Sequence, residues 1–188
     1  MIWPLKYAIL NNFEELSYKK FKLTPIRYEH RIKIIKWRNE QIFHLRQEKK
    51  LTLKEQDFYF ENIVLNQFYE KSPNQILFSF YQNEEFIAYG GFVHIDWINR
   101  KAELSFVMDT RLEEKSFIFI WNSYIKTLEK FVKMNPIINT IFTYSFNLRP
   151  KLYKVLNKNN FKLVKEELYK KNNKLIKVNI HEKTWKKD

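Results

Sequence analysis

Cysteine is absent from the 188 residues. That excludes a disulfide framework, a thiolate-bound zinc and a cysteine nucleophile. Glycine occurs twice, side by side at Gly90 and Gly91, and no Pro/Gly/Ser-rich linker divides the chain. No apolar run approaches the roughly 20 residues that span a bilayer. The opening stretch, MIWPLKYAIL, interrupts its apolar residues with Pro4 and Lys6 and runs into Asn11, Asn12, Glu14 and Glu15, which makes a poor signal peptide. These absences point to a soluble, cytoplasmic protein with no membrane partner.

What is present is a well-stocked core and a positive charge. Hydrophobic residues are 45% and aromatics 18% of the chain, which argues against disorder. A chain this long can bury about two-thirds of its unfolded surface. There are 34 Lys and Arg against 21 Asp and Glu, a net +13, and residues 149–188 carry 13 basic and 4 acidic residues. A phosphate-bearing ligand would produce such an excess. So would a nucleotide bias favouring Lys, Asn, Ile, Phe and Tyr. Solvated charge is the simpler reading of residues 170–187, Trp185 among their lysines included, so a nucleic-acid partner is disfavoured.

Residues 1–19 show no clear period and read as an N-terminal extension to a single domain at 20–188. A strand is expected at Phe21–Arg27, then a helix with Ile32 and Ile35 on one face, ending near Trp37–Glu40. Thr52-Leu53-Lys54-Glu55 is a capping box. The helix it starts carries Phe60, Ile63, Val64 and Phe68. Ile76–Tyr81 and Phe86–Ile95 form a hairpin about Gln82–Glu85. Ala102, Leu104, Phe106 and Met108 alternate along the next strand, with Glu103 and Ser105 facing the other way. From Ser116 to Lys133, Phe117, Ile120, Trp121, Tyr124, Ile125, Leu128, Phe131 and Val132 repeat at helical spacing. A strand at 138–146, a helix from Pro150 to Lys158, and a hairpin of 161–170 with 175–180 about Asn172-Asn173 complete the chain. The fold class is α/β (α+β), a mixed sheet flanked by helices.

Three stretches resemble the GNAT (Gcn5-related) N-acetyltransferases. Ala102-Glu103-Leu104-Ser105-Phe106-Val107-Met108-Asp109 is similar to the family's fourth strand, A-E-[LI]-G-Y-x-[LI]-D. Tyr153 to Phe161 resembles the R-V-L-E-K-x-G-F segment of the ribosomal-protein-type branch, with Asn160 in place of glycine. Leu23 to Arg27 and Trp37-Arg38-Asn39 resemble members acting on amino sugars. The resemblance spans roughly residues 20–170. It implies a strongly twisted sheet, acetyl-CoA as co-substrate, no metal, and a primary amine of a small molecule as acceptor, a nucleotide-linked amino sugar among the options. A homodimer is left open. The chain departs from the family at Glu113-Glu114-Lys115-Ser116, where the diphosphate loop usually reads R-G-K-G; Lys115 and Arg111 stand by to compensate. A module of the same fold without catalysis, its basic surface binding nucleic acid or a protein, is the alternative.

On this resemblance Glu103 is the general base; a partly buried carboxylate on a central strand would have a raised pKa. The alternative is a structural carboxylate paired with Lys101 or Arg100. Tyr153 is the acid that meets the departing thiolate. Val107, Met108, Arg111, Lys115, Ser116, Phe117 and Tyr144 are the coenzyme-side residues, with the 112–117 backbone near the diphosphate. Arg38, Asn39, Tyr89, Gly90 and His94 are the acceptor-side residues, Arg46 stands near them, and surface charge is the alternative for the arginines. His94 shares a strand face with Asp96. Gly90 and Gly91 mark a bulge or a close approach of backbone or ligand. Four scattered histidines without a close pair give no metal site.

Overall fold

The protein is described by a computed structural model covering residues 2–10 and 13–185. The strands are β1 (Leu16–Tyr18), β2 (Phe21–Pro25), β3 (Gln75–Gln82), β4 (Glu85–Asp96), β5 (Lys101–Met108), β6 (Thr140–Phe146), β7 (Lys162–Lys171) and β8 (Lys174–Thr184). They form one sheet in the order β1-β2-β3-β4-β5-β6-β8-β7. Every pairing is antiparallel except β5 with β6. The expected mixed sheet is therefore present.

The helices are α1 (Arg31–Glu40), α2 (Leu53–Tyr59), α3 (Leu65–Gln67), α4 (Thr110–Lys115), α5 (Phe117–Met134) and α6 (Pro150–Lys158). The capping box forms as expected: the Thr52 hydroxyl accepts from Glu55 N–H and the Glu55 carboxylate accepts from Thr52 N–H. Its apolar period places α5 on the sheet, burying all eight residues from Phe117 to Val132 named above. Tyr124 stacks on Phe106 with ring centroids 3.9 Å apart, and Phe131 meets Phe78 edge-on at 4.9 Å. Burying these rings on the central strands stabilises the crossover from β5 to β6 by about 1.5–3 kcal/mol per large side chain.

Two helix faces differ from the expectation. On α1 the buried residues are Ile34 and Trp37, while Ile32 is exposed. The short helix is oriented by Trp37, whose ring packs 5.0 Å from Phe86. Between α2 and α3 the chain runs as a π-helix, Phe60–Val64. The wider turn rotates the register, so Phe60, Val64 and Phe68 stay buried and Ile63 turns outward.

The N-terminal stretch packs on the same core. Tyr7 is buried against Phe68, and its hydroxyl both accepts from Leu77 N–H and donates to Leu77 O. The tandem glycines serve the sheet. A Cβ on Gly90 would lie 2.1 Å from Ser105 O and 2.8 Å from the Tyr124 hydroxyl, and one on Gly91, at φ +147°, would lie 2.0 Å from Ile76 O. Gly90 is thus a packing position where β4, β5 and α5 converge. Asn160 takes φ +62°, the left-handed conformation that asparagine tolerates.

Candidate active site

β5 and β6 pair only at Lys101–Glu103 with Thr140–Phe142. Beyond that point they part, and a cleft of about 170 Å³ opens between Leu104–Val107 and Thr143–Phe146. Trp121 from α5 and Arg149 from the start of α6 close its far side. Two polar atoms buried here have no hydrogen-bond partner among the described residues, Trp121 Nε1 and Thr143 Oγ1, and Arg149 Nε has only the Glu113 carboxylate at 3.4 Å. Buried polar atoms are rarely left unpaired in a finished core.

Segment 41–47 roofs the cleft. Gln41, itself buried, donates to Met108 O at 2.7 Å. Lys171 Nζ, from the end of β7, donates to Ile42 O at 2.6 Å and to Leu45 O. Arg149 donates to His44 Nδ1 at 2.8 Å. An imidazole that accepts from a guanidinium must be neutral there. Burial first, and the Arg149 charge second, lower the His44 pKa to about 3.

Glu103 sits where the strands part, almost fully buried. Its Oε1 accepts from Arg46 Nη2 at 2.5 Å and its Oε2 lies 2.8 Å from His94 Nδ1. His94 takes φ +49°, where the β4–β5 register shifts between Val93 and Asp96. A bulge re-aims a side chain; here it brings the exposed imidazole onto the carboxylate while Asp96 caps the turn through Asn99. Neither anticipated partner is used: Lys101 pairs with Glu182, and Arg100 donates to the carbonyls of Pro136 and Ile137.

A second cavity, about 350 Å³, lies between the α1–α3 region and strands β3 and β4, and shares Arg38, Arg46 and Ser105 with the cleft. Arg38 donates to the Tyr89 hydroxyl at 2.9 Å and to Gln47 Oε1 at 3.1 Å. Tyr59 donates to Gln75 Oε1. Asn39 is engaged elsewhere, since its side-chain amide clamps Leu51 through both N–H and C=O and holds Gln47. It is removed from the acceptor side because its hydrogen-bonding groups are already committed.

The coenzyme-side residues divide. Val107 and Tyr144 line the cleft, and Met108 ends β5 beside it. The Arg46 guanidinium lies 4.9 Å from the Tyr144 ring centroid. Burial, then the hydrogen bond with Glu167, push the Tyr144 hydroxyl up to about 12. Residues 110–115 are not an open loop. They form α4, capped by Asp109, whose side chain accepts from Arg111 N–H. The N–H groups of Leu112 and Glu113 go to Asp109 O, and that of Ser116 to Leu112 O. Without glycine, a capped run of good helix formers closes on itself. The Arg111 guanidinium binds Asp109. Glu113 turns inward, 3.4 Å from Arg149, and burial raises its pKa against the pull of Arg149. Lys115 is exposed at the end of α4, Ser116 links α4 to α5, and Phe117 is buried beneath the Arg149 guanidinium.

Tyr153 lies elsewhere. Its hydroxyl donates to Phe146 O at 3.2 Å and its ring stacks on His181. It is a tether between α6, β6 and β8, and does not line the cleft. Sequence reasoning missed Arg149, His44 and Thr143 altogether and read Trp121 as core alone. An arginine just ahead of Pro150 at a helix start was the one available signal.

No family model and no curated protein matches the sequence. Solved structures do match. The spermidine N-acetyltransferase from Vibrio cholerae in complex with CoA and spermine superposes with TM-score 0.75 over 89% of this chain and 96% of that one, at 12% identity. The RimL ribosomal L7/L12 α-N-protein acetyltransferase in complex with CoA gives 0.74 over 91% and 98%, at 13% identity. An acetyltransferase from Salmonella typhimurium that modifies the N-terminal serine of ribosomal protein L7/L12 gives 0.71 over 90% and 97%, at 14% identity. The chain has the GNAT fold. Within that GNAT fold, the parting of β5 from β6 and the carboxylate at their junction are the features around which the two cavities are built.

Proposed function

We propose that the protein is an N-acetyltransferase that moves an acetyl group from acetyl-CoA to a primary amine of a small molecule. The observation that carries this reading is the junction at Glu103. A cleft with unpartnered buried polar atoms opens on one side of it, and a separate cavity on the other. The coenzyme's arm contains amide groups, which can pair with Trp121 Nε1–H and the Thr143 hydroxyl. These residues and the unpaired edges of β5 and β6 would hold it. At the diphosphate end the fit is through side chains, Lys115 and Arg149, because α4 has committed its own backbone N–H groups. Two of the superposable GNAT-fold enzymes were solved with CoA.

Bound acetyl-CoA supplies an acyl group activated as a thioester. The chain supplies proton handling. Glu103 accepts the proton that an amine must lose before it attacks, and His94, exposed and 2.8 Å away, passes it to solvent. Tyr144 lines the cleft, and its hydroxyl, which now bonds Glu167, would turn from that carboxylate to meet the leaving thiolate. It takes the role that the sequence pattern suggests for Tyr153. On the acceptor side Arg38 favours a phosphate-bearing amine, and a nucleotide-linked amino sugar is one candidate.

One observation favours the competing reading, a GNAT-fold module without coenzyme: the closed α4 turn with Glu113 drawn inward. Calorimetric titration with acetyl-CoA separates the two. Saturable heat that weakens with added salt, as screened phosphate attraction requires, supports the transferase. No heat and no thermal shift at millimolar coenzyme would replace it with the module.

A further inference from the structure

The second cavity carries a charge imbalance that narrows the acceptor class, on the reading that this protein is an N-acetyltransferase. Arg31, Arg46 and Arg149 each face a carboxylate: Asp57, Glu103 and Glu113. Arg38 has none among the described residues. Its partners are the neutral Gln47 amide and the Tyr89 hydroxyl, and Nη2 makes no hydrogen bond with the described residues. Glu55, the carboxylate that lines this cavity, and Glu103, which lines the adjoining cleft, are committed elsewhere. Glu55 holds the α2 cap and Lys49, and Glu103 holds Arg46 and His94. A largely enclosed guanidinium without a counter-charge is unfavourable. An anion arriving with the ligand removes that imbalance and gains charge-assisted, bidentate hydrogen bonds.

We infer that the acceptor is a compact primary amine that also carries an anionic group, a carboxylate or a phosphate, and that this anion seats on Arg38 while the amine faces Glu103. At about 350 Å³ the cavity lies near the small end of ligand sites. It suits an amino acid or an amino-sugar phosphate, and the base and ribose of a nucleotide carrier would lie outside it. A polyamine is the wrong chemistry. It brings further ammonium groups to a wall with an unbalanced cation and no uncommitted carboxylate. A shared fold does not carry over an acceptor.

The test is equilibrium binding to the CoA-loaded protein with matched pairs: glucosamine 6-phosphate against glucosamine, serine against serinamide, with spermidine and a nucleotide-linked amino sugar alongside. The acidic member of at least one pair is expected to bind about tenfold or more tightly. The pair that shows the preference distinguishes phosphate from carboxylate. The preference is expected to vanish in Arg38→Gln and to survive in part in Arg38→Lys. Equal binding within both pairs, tighter binding of spermidine, or a preference unchanged in Arg38→Gln would overturn the inference. So would tighter binding of the nucleotide sugar than of either compact acid. The matched pairs are read on the wild-type protein, so the result stands even if a variant fails to fold. CoA heat is measured separately: its absence sinks the transferase reading, whereas the acid preference reports on Arg38 alone.

Discussion

The two ends of β5 have the same strand geometry and opposite histories. At the Glu103 end the chemistry is assembled from a distance, with Arg46 arriving from the roof and His94 from a bulge in β4. At the Met108 end everything is local: Asp109 caps, 110–115 coil, and the N–H groups close on carbonyls a few residues back. A buried carboxylate needs tertiary partners, because nothing adjacent in sequence can reach it from the same strand face. A turn without glycine follows its helix propensity unless tertiary contacts prevent it. The Glu103 end is therefore furnished by side chains brought from a distance, whereas the Met108 end closes its backbone on itself.

The sharpest way to break this contrast is Glu103→Gln. If the Glu103 end does proton chemistry and nothing else, turnover at neutral pH should fall by about 10²–10⁴-fold, with the CoA dissociation constant within about threefold of wild type. The loss should shrink at high pH, where the acceptor is already neutral. Undiminished turnover, or a collapse of CoA affinity, would mean the two ends are not separate in function.

Acid should then strain the roof. Burial lowers His44 to about 3 and His30, stacked on Phe86, to about 4. For a histidine depressed in the fold, the unfolded chain binds the extra proton, so stability is full above pH about 6.5 and falls as pH drops below it. At pH 5 each histidine should remove on the order of 1–2 kcal/mol. Glu113, raised by burial, opposes this weakly. The depressed carboxyls of Glu55 and Asp109 lose their contribution only below about pH 4.5. A Tm profile flat from pH 7 to 5, or one that Gln at both histidines leaves unchanged, would count against a neutral, buried His44.

The smallest effect tests the middle of the strand. Trp121→Phe keeps an aromatic ring under the cleft and removes only Nε1–H. CoA affinity should weaken several-fold, about 0.5–1.5 kcal/mol, with Tm near that of wild type. Unchanged affinity would leave Trp121 a core residue and nothing more.

Much of the architecture was legible because it is local. The α5 stripe, the Thr52–Glu55 cap and the turns at Asn83-Glu84 and Asn172-Asn173, all four at positive φ, announce themselves within a few residues. Glu103 could be singled out because an acid among alternating apolar residues is conspicuous. Its partners could not be read: Arg46 is 57 positions away, and Arg149 meets His44 across 105. The exposed Ile32 and Ile63 were misplaced for the same reason, since the helix face is chosen by distant rings and by a π-turn with no sequence mark. Tyr153 and Tyr144 were alike by composition; only the direction of each side chain separates a tether from a cleft residue.

The roof over the cleft joins the two cavities. Arg46 and Gln47 belong to a segment fastened at Met108, Arg149 and Lys171. Arg46 lines both cavities, and Gln47 lines the cleft while holding Arg38. Two ligands that lean on one wall do not load independently. If the first displaces that wall, it changes the free energy of binding the second, and by reciprocity the second acts equally on the first. On the transferase reading, the size of that coupling is set by how firmly Gln41, His44 and the Lys171 ammonium hold the wall down.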